Sequence, residues 1–124
     1  MSAQANKEAT EAAYRAFAAG DAAGAMENMD DGIVWTARGD SSISGTYRGK
    51  EEVGSLWAKL AEKGLESEPH DFIADGDKVV VLTKVTLDGE ADEAADVLTF
   101  DGEGRLVAFD QLGDPAVVNR LYPR

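Results

Sequence analysis

Asp96 is the residue of this 124-residue chain whose type and setting most favour chemistry. It stands in an apolar stretch and shares a predicted strand face with Leu98 and Phe100, because side chains on one face recur every second residue. A carboxyl group turned into an apolar cavity loses hydration, so its pKa rises and it can act as a general acid or base near neutral pH. The alternative is an acid that hydrogen-bonds the backbone or the first helix, or one that is exposed at a pocket mouth.

Two other titratable side chains are candidates for assisting this acid. Tyr14 lies three residues before Phe17 on a predicted helix, so its hydroxyl could reach the cavity, or its ring could simply cap the core. His70 is the only histidine, and an ordinary imidazole can serve as a base near neutral pH. Its neighbour Asp71 points to the opposite strand face, and a surface histidine at a strand start is the alternative. We therefore predict Asp96, Tyr14 and His70 as the catalytic residues.

Three helices and a run of strands must position these side chains. Apolar residues at helical spacing predict helices over 5–17, from 22 to about 29 and over 50–63. A short strand is predicted at 33–36, and period-two patterns separated by turn residues predict strands at 66–74, 78–87, 93–100 and 105–113. This order predicts one α+β domain over residues 1–124, with the three helices packed on one face of a curved antiparallel sheet.

Composition excludes several classes of partner and site. Twelve basic and twenty-four acidic residues give a net charge of −12, which opposes binding to nucleic acid or anionic membranes. There is no cysteine and only one histidine, so we expect no metal site. Neither a membrane span nor a signal peptide is recognisable, and a cytoplasmic protein is the default expectation.

Apolar residues occur on both faces of the predicted sheet. Val79, Val80, Val81 and Leu82 are consecutive, whereas a sheet with one face in water should alternate apolar and polar residues more cleanly. We therefore expect a second copy of the chain to cover the outer face, giving a homodimer.

Four segments carry a resemblance to a known family, and they are YRAFAAGD (14–21), DDGIVW (30–35), GTYRGKEEV (45–53) and FDGEGRL (100–106). In order and spacing they resemble the SnoaL-like branch of the nuclear-transport-factor-2-like superfamily, which has the cystatin-like α+β cone fold. The resemblance implies a sheet rolled around a deep apolar pocket that the helices close. It also implies frequent dimerisation through the outer sheet face. The superfamily contains ketosteroid isomerases, polyketide cyclases, limonene epoxide hydrolases and scytalone dehydratase, and non-catalytic members as well.

The resemblance also indicates which side chains face inward. Gln111 would then be a polar group in an apolar cavity, where it needs a partner and could orient a ligand oxygen. Core packing is the alternative role for the aromatic rings, and a structural hydrogen bond is the alternative for Gln111. The predicted ligand-binding residues are Trp35, Trp57, Phe17, Val81, Thr83, Leu98, Phe109 and Gln111.

Ketosteroid isomerase uses a carboxylate base, a tyrosine on the first helix and a protonated acid. An ungapped alignment from Gly20 and Asp21 places the tyrosine position at Ala13 and the base position at Ala37, while the acid position falls on Asp96. Two of the three groups are therefore missing, which argues against a standard ketosteroid isomerase.

Three functions are compatible with this reading. The first is a cofactor-independent isomerase, cyclase, dehydratase or hydrolase that acts on a small hydrophobic molecule bearing a carbonyl or hydroxyl group. The second is a non-catalytic protein that binds such a molecule, and the third is a dimerisation module whose cavity is filled by its own side chains. Two titratable groups within reach of one ligand atom would favour catalysis.

Overall fold

The computed structural model describes residues 2–124 of the chain. In chain order the elements are α1 (Ala3–Ala18), α2 (Ala22–Met26), β1 (Met29–Ala37), β2 (Gly45–Arg48), α3 (Gly49–Glu62), β3 (Glu66–Asp75), β4 (Lys78–Leu87), β5 (Glu90–Phe100), β6 (Leu106–Gly113) and α4 (Ala116–Leu121). The three predicted helices and the four-strand meander are present, and the predicted α+β cone fold is confirmed.

A capping side chain lies at the start of each of the two N-terminal helices, which are in contact with each other. The Ser2 side chain accepts a hydrogen bond from the Ala5 N–H, and the Asp21 carboxylate accepts one from the Gly24 N–H at 2.9 Å. Between the helices Gly20 has a φ of 79°, a left-handed conformation that glycine adopts without strain.

The six strands form one sheet in the order β2-β1-β6-β5-β4-β3. Every neighbouring pair is antiparallel except β1 and β6, which run parallel, with Trp35 opposite Phe109. The sheet is therefore mixed rather than wholly antiparallel. β1 is longer than predicted, and Ile33 at its centre is fully buried.

Two elements were not predicted from the sequence. β2 has only four residues, and it exists because it pairs with the second half of β1. The short helix α4 contains Val117 and Val118, whose branched side chains disfavour helix, so its conformation depends on tertiary contacts.

The core lies between the helices and the inner face of the sheet. Helix α1 packs on β3 and β4, and α3 packs on β1, where it buries Val53 and Leu56. Within residues 2–124, the structure shows no helix with the length and apolar character needed to cross a membrane.

Candidate active site

Asp96 lies on the inner face of β5 and is only 2% exposed. The strand register places it between Val81 on β4 and Gln111 on β6. Its position in the middle of the sheet puts its carboxyl group beneath α1, where little water reaches it.

Each oxygen of the Asp96 carboxyl group accepts one hydrogen bond from the protein. Tyr14 lies on α1, and its hydroxyl group donates a hydrogen bond to Oδ2. The Gln111 amide nitrogen donates to Oδ1 at 2.8 Å. Two donors and no acceptor around one carboxyl group favour its ionised form.

Burial and these hydrogen bonds act on Asp96 in opposite directions. Loss of hydration raises the pKa of Asp96, and the hydrogen bonds from Tyr14 and Gln111 partly offset that rise. Burial also raises the pKa of Tyr14 well above its usual range, and the adjacent charge of Asp96 raises it further. Asp96 is therefore a stronger base than an exposed aspartate, and Tyr14 keeps its proton at neutral pH.

The replacement of Asp96 by Asn should reveal this raised pKa as a pH-dependent change in stability. A carboxyl group whose pKa is higher in the folded than in the unfolded chain stabilises the fold at low pH, and this contribution is lost as pH rises through the folded-state pKa. Asn does not ionise, so the stability of D96N relative to the wild type should increase from about pH 4 to about pH 8. The expected increase is about 1.4 kcal/mol for each unit by which folding raises the pKa of Asp96. Urea unfolding at both pH values measures this gain. An equal difference at both pH values would contradict it.

The polar pair of Tyr14 and Asp96 opens into a cavity of about 210 Å³. Four aromatic rings form a continuous part of its wall. Phe17 meets Trp57 edge to face at 5.0 Å between ring centroids, Trp57 meets Trp35 likewise at 5.7 Å, and Trp35 stacks on Phe109 at 3.6 Å. These rings pack against one another and still leave space, so they do not fill the cavity.

The rim of the cavity carries charged residues outside the predicted catalytic and ligand-binding sets. Arg38, which directly follows β1, makes a bidentate ion pair with Asp110 at 2.7 and 2.6 Å, and this hydrogen bonding raises the pKa of Arg38. The carboxylates lining the cavity besides Asp96 are Glu90, Asp92, Glu93 and Asp114. The cavity is thus apolar at its walls and predominantly acidic at its rim.

Helix α4 supplies another part of the wall through Val117 and Val118. It is held in place by polar contacts with the loop after β1. The Asp40 N–H donates to the Asn119 side chain at 2.7 Å, and the Ser42 N–H donates to the Tyr122 carbonyl at 2.8 Å. No periodic pattern in the sequence connects this helix with the cavity.

Of the predicted catalytic residues, the structure brings Tyr14 and Asp96 together but leaves His70 outside the cavity. A bulge in β3 between Pro69 and Asp71 leaves His70 as the extra residue of the strand. Its half-exposed ring contacts the Glu93 carboxylate at 2.9 Å instead of facing Asp96. The predicted grouping of His70 with Asp96 and Tyr14 is therefore wrong, because His70 does not line their cavity.

Two of the predicted ligand-binding residues do not line the cavity. Val81 and Thr83 point inward as expected, but both are fully buried under neighbouring side chains. The Thr83 hydroxyl forms a hydrogen bond with the Ser67 hydroxyl at 2.9 Å. The cavity-lining members of the predicted set are Trp35, Trp57, Phe17, Leu98, Phe109 and Gln111.

The two alanines at the aligned isomerase positions both line the cavity. The Ala13 side chain cannot donate a hydrogen bond, but the next residue, Tyr14, brings a hydroxyl group to Asp96. Ala37 has no nearby substitute on β1 that could act as a carboxylate base. Within residues 2–124 the structure shows no cluster of three or more histidine, aspartate or glutamate side chains suited to a metal ion.

Comparisons with known proteins agree with this architecture. Residues 10–109 match the SnoaL-like domain, and no curated protein matches the chain. An NTF2-like protein of unknown function from Burkholderia pseudomallei is 26% identical over 100% of both chains, with a TM-score of 0.82. A protein of unknown function with a cystatin-like fold from Xanthomonas campestris is 22% identical over 96% of this chain and 98% of its own, with a TM-score of 0.85. TerC, co-crystallised with polyporic acid, is 25% identical over 94% of this chain and 97% of its own, with a TM-score of 0.76.

Proposed function

Since the chain belongs to the SnoaL-like family, we propose that it is a cofactor-independent enzyme acting on a small hydrophobic molecule that bears a carbonyl or hydroxyl group. The observation that carries this proposal is the contact between Tyr14 and Asp96 at the wall of an open apolar cavity. Two titratable groups that meet where a ligand can bind are what acid–base catalysis requires.

The chemistry assigned to this pair is proton abstraction next to a carbonyl group. The ionised Asp96 takes a proton from carbon, the C–H bond breaks, and its electron pair moves to the carbonyl oxygen to form an enolate. Protonated Asp96 no longer needs the Tyr14 hydrogen bond, so the hydroxyl can turn and donate to the enolate oxygen. In a β,γ-unsaturated ketone, transfer of that proton from Asp96 to the γ-carbon completes an isomerisation. In a β-hydroxy ketone, the hydroxyl group takes the proton from Asp96 and leaves as water, which completes a dehydration.

The similarity to TerC supports a small organic molecule as the ligand of this chain, because TerC was co-crystallised with polyporic acid. The apolar walls of the cavity support a hydrophobic molecule. The polar side chains of Asp96, Tyr14 and Gln111 support a molecule whose oxygen atoms need partners.

Hydrogen exchange in D2O tests the proposal without knowledge of the natural substrate. A panel containing 1-indanone, 2-tetralone, 4-chromanone and cyclohexenone is incubated with the protein, and deuterium uptake beside the carbonyl is followed by NMR. We expect saturable acceleration of exchange for at least one ketone. Binding without any acceleration across the panel would contradict catalysis by Asp96.

A non-catalytic ligand-binding protein is the second candidate, and one observation favours it. Both oxygens of Asp96 already accept hydrogen bonds from protein side chains, as in a carboxylate that serves a structural purpose. The exchange experiment separates the two functions, since a binding protein would occupy its cavity without accelerating exchange.

We also propose that the chain forms a homodimer through the outer face of the sheet. Ile73 on β3 and Leu112 on β6 are 49% and 43% exposed there, and Leu82 and Ala95 lie in register beside Leu112. Contiguous apolar residues on a surface favour association. Light scattering at micromolar concentration should show a dimer for the wild type and for K59E, a control on α3, and a monomer for L112E. A wild-type monomer would contradict the proposal.

A further inference from the structure

The inner face of β6 presents an aromatic row and a polar row side by side. Phe109 and Gln111 lie two residues apart on that face, which separates them by roughly 7 Å along the strand. Phe109 is opposite Trp35 on β1, and Gln111 is opposite Asp96 on β5. A molecule lying along β6 would therefore meet aromatic rings at one end and hydrogen-bonding groups at the other.

The aromatic row is an organised surface. Trp35 and Phe109 stack with an angle of 12° between their planes, and Trp57 meets Trp35 at 75°. All three side chains line the cavity. An aromatic ligand ring can extend this series of stacked and edge-to-face contacts, whereas a saturated ring of similar size gains only from burial.

The polar row retains hydrogen-bonding capacity beyond the bonds within the protein. A glutamine amide has two N–H groups and one carbonyl oxygen, and Gln111 uses one N–H for Asp96. The carboxylate of Asp96 also has unused lone pairs after accepting from Tyr14 and Gln111. A hydroxyl group could donate to Asp96 and accept from Gln111, and a carbonyl group could accept from Gln111.

We propose that the ligand is a flat aromatic compound with a hydroxyl or carbonyl oxygen roughly 7 Å from the centre of one ring, where the ring contacts Trp35 and Phe109 and the oxygen meets Gln111 and Asp96. The inference rests on the proposed function in one respect, because both assume that the ligand binds in the cavity beside Tyr14 and Asp96. It adds the class of molecule and the orientation in which it binds.

Three uncharged phenols of similar size test this arrangement. In 4-phenylphenol the hydroxyl group and the distal ring have the required separation. In 4-cyclohexylphenol the distal ring is saturated, and in 2-phenylphenol the hydroxyl group lies beside the second ring. We expect isothermal titration calorimetry to show that 4-phenylphenol binds roughly two- to tenfold more tightly than each of the other two. Its addition should shift the indole N–H NMR signal of Trp35, one of two tryptophans in the chain.

Two variants assign the two ends of the ligand. W35L should remove the preference for 4-phenylphenol over 4-cyclohexylphenol, and Q111M should remove its preference over 2-phenylphenol. Gln4 is the only other glutamine, is exposed and contacts Glu8, so Q4M is a matched control that should change neither preference. Circular dichroism confirms that each variant is folded, and the wild-type comparison of the three phenols stands without the variants.

Equal affinity of the wild type for 4-phenylphenol and either of its two analogues would overturn the inference, as would the absence of binding by all three phenols. These measurements need no turnover. Tight and selective binding of 4-phenylphenol together with no hydrogen exchange in the ketone panel would retain the inference and reject the proposed catalysis. Hydrogen exchange in the ketone panel without selectivity among the phenols would retain the proposed catalysis and reject the inference.

Discussion

The D96N variant should exchange hydrogen in the ketone panel about 10²- to 10⁴-fold more slowly than the wild type, the range lost when a positioned general base is removed. The side-chain amide of D96N can keep the local hydrogen bonds. Its oxygen still accepts from Tyr14, and its N–H₂ group can donate to the Gln111 side-chain carbonyl after the Gln111 amide flips. The loss would therefore come from chemistry rather than from unfolding.

The pH profile provides an independent check on the same residue. Asp96 acts as a base only when ionised, so the wild-type exchange rate should rise with pH through the pKa of Asp96, which burial places above that of an ordinary aspartate. D75N, at the exposed C-terminal end of β3, is a control that should keep both the exchange rate and its pH profile. Unchanged exchange in D96N would remove Asp96 from the mechanism.

The second large effect is expected from L56A on α3. Leu56 is 1% exposed, packs with Ile43, Leu87 and Tyr122, and forms part of the cavity wall. Truncation of a buried leucine to alanine removes apolar contacts and leaves a void, and this typically lowers the free energy of unfolding by about 2–5 kcal/mol.

Urea denaturation monitored by tryptophan fluorescence measures the effect of L56A. K59A, on the exposed side of the same helix, is the matched control and should change the free energy of unfolding by less than about 0.5 kcal/mol. A comparable loss in both variants would show that the effect does not come from the packing of Leu56 in the cavity wall.

Local patterns were sufficient to predict the elements that have their own periodicity. Helix α3 has Val53 and Leu56 at helical spacing, and both are buried. The alternation around Asp96 likewise predicts the inner face of β5, where Asp96, Leu98 and Phe100 are all buried. In these segments the side-chain period alone decides which residues face the core.

Other features depend on partners that are distant in sequence, so no local pattern contains them. A bulge between Thr99 and Phe100 shifts the pairing with β6, so Leu106 joins Phe109 in the core although strict alternation would separate them. The bulge in β3 similarly displaced His70. The contact of Tyr14 with Asp96 depends on how α1 crosses the sheet, which the sequence of neither segment specifies.

The parallel pairing of β1 with β6 has a consequence for how this protein acquires its site. It joins Trp35 to Phe109 across more than half the chain, and the entropy lost in closing so long a loop slows folding. Since the aromatic wall needs both strands, and Asp96 needs Gln111 from the later one, a nascent chain acquires neither half of its site before β6 has been synthesised. Ligand binding would therefore report on completion of the whole sheet rather than on the early helices.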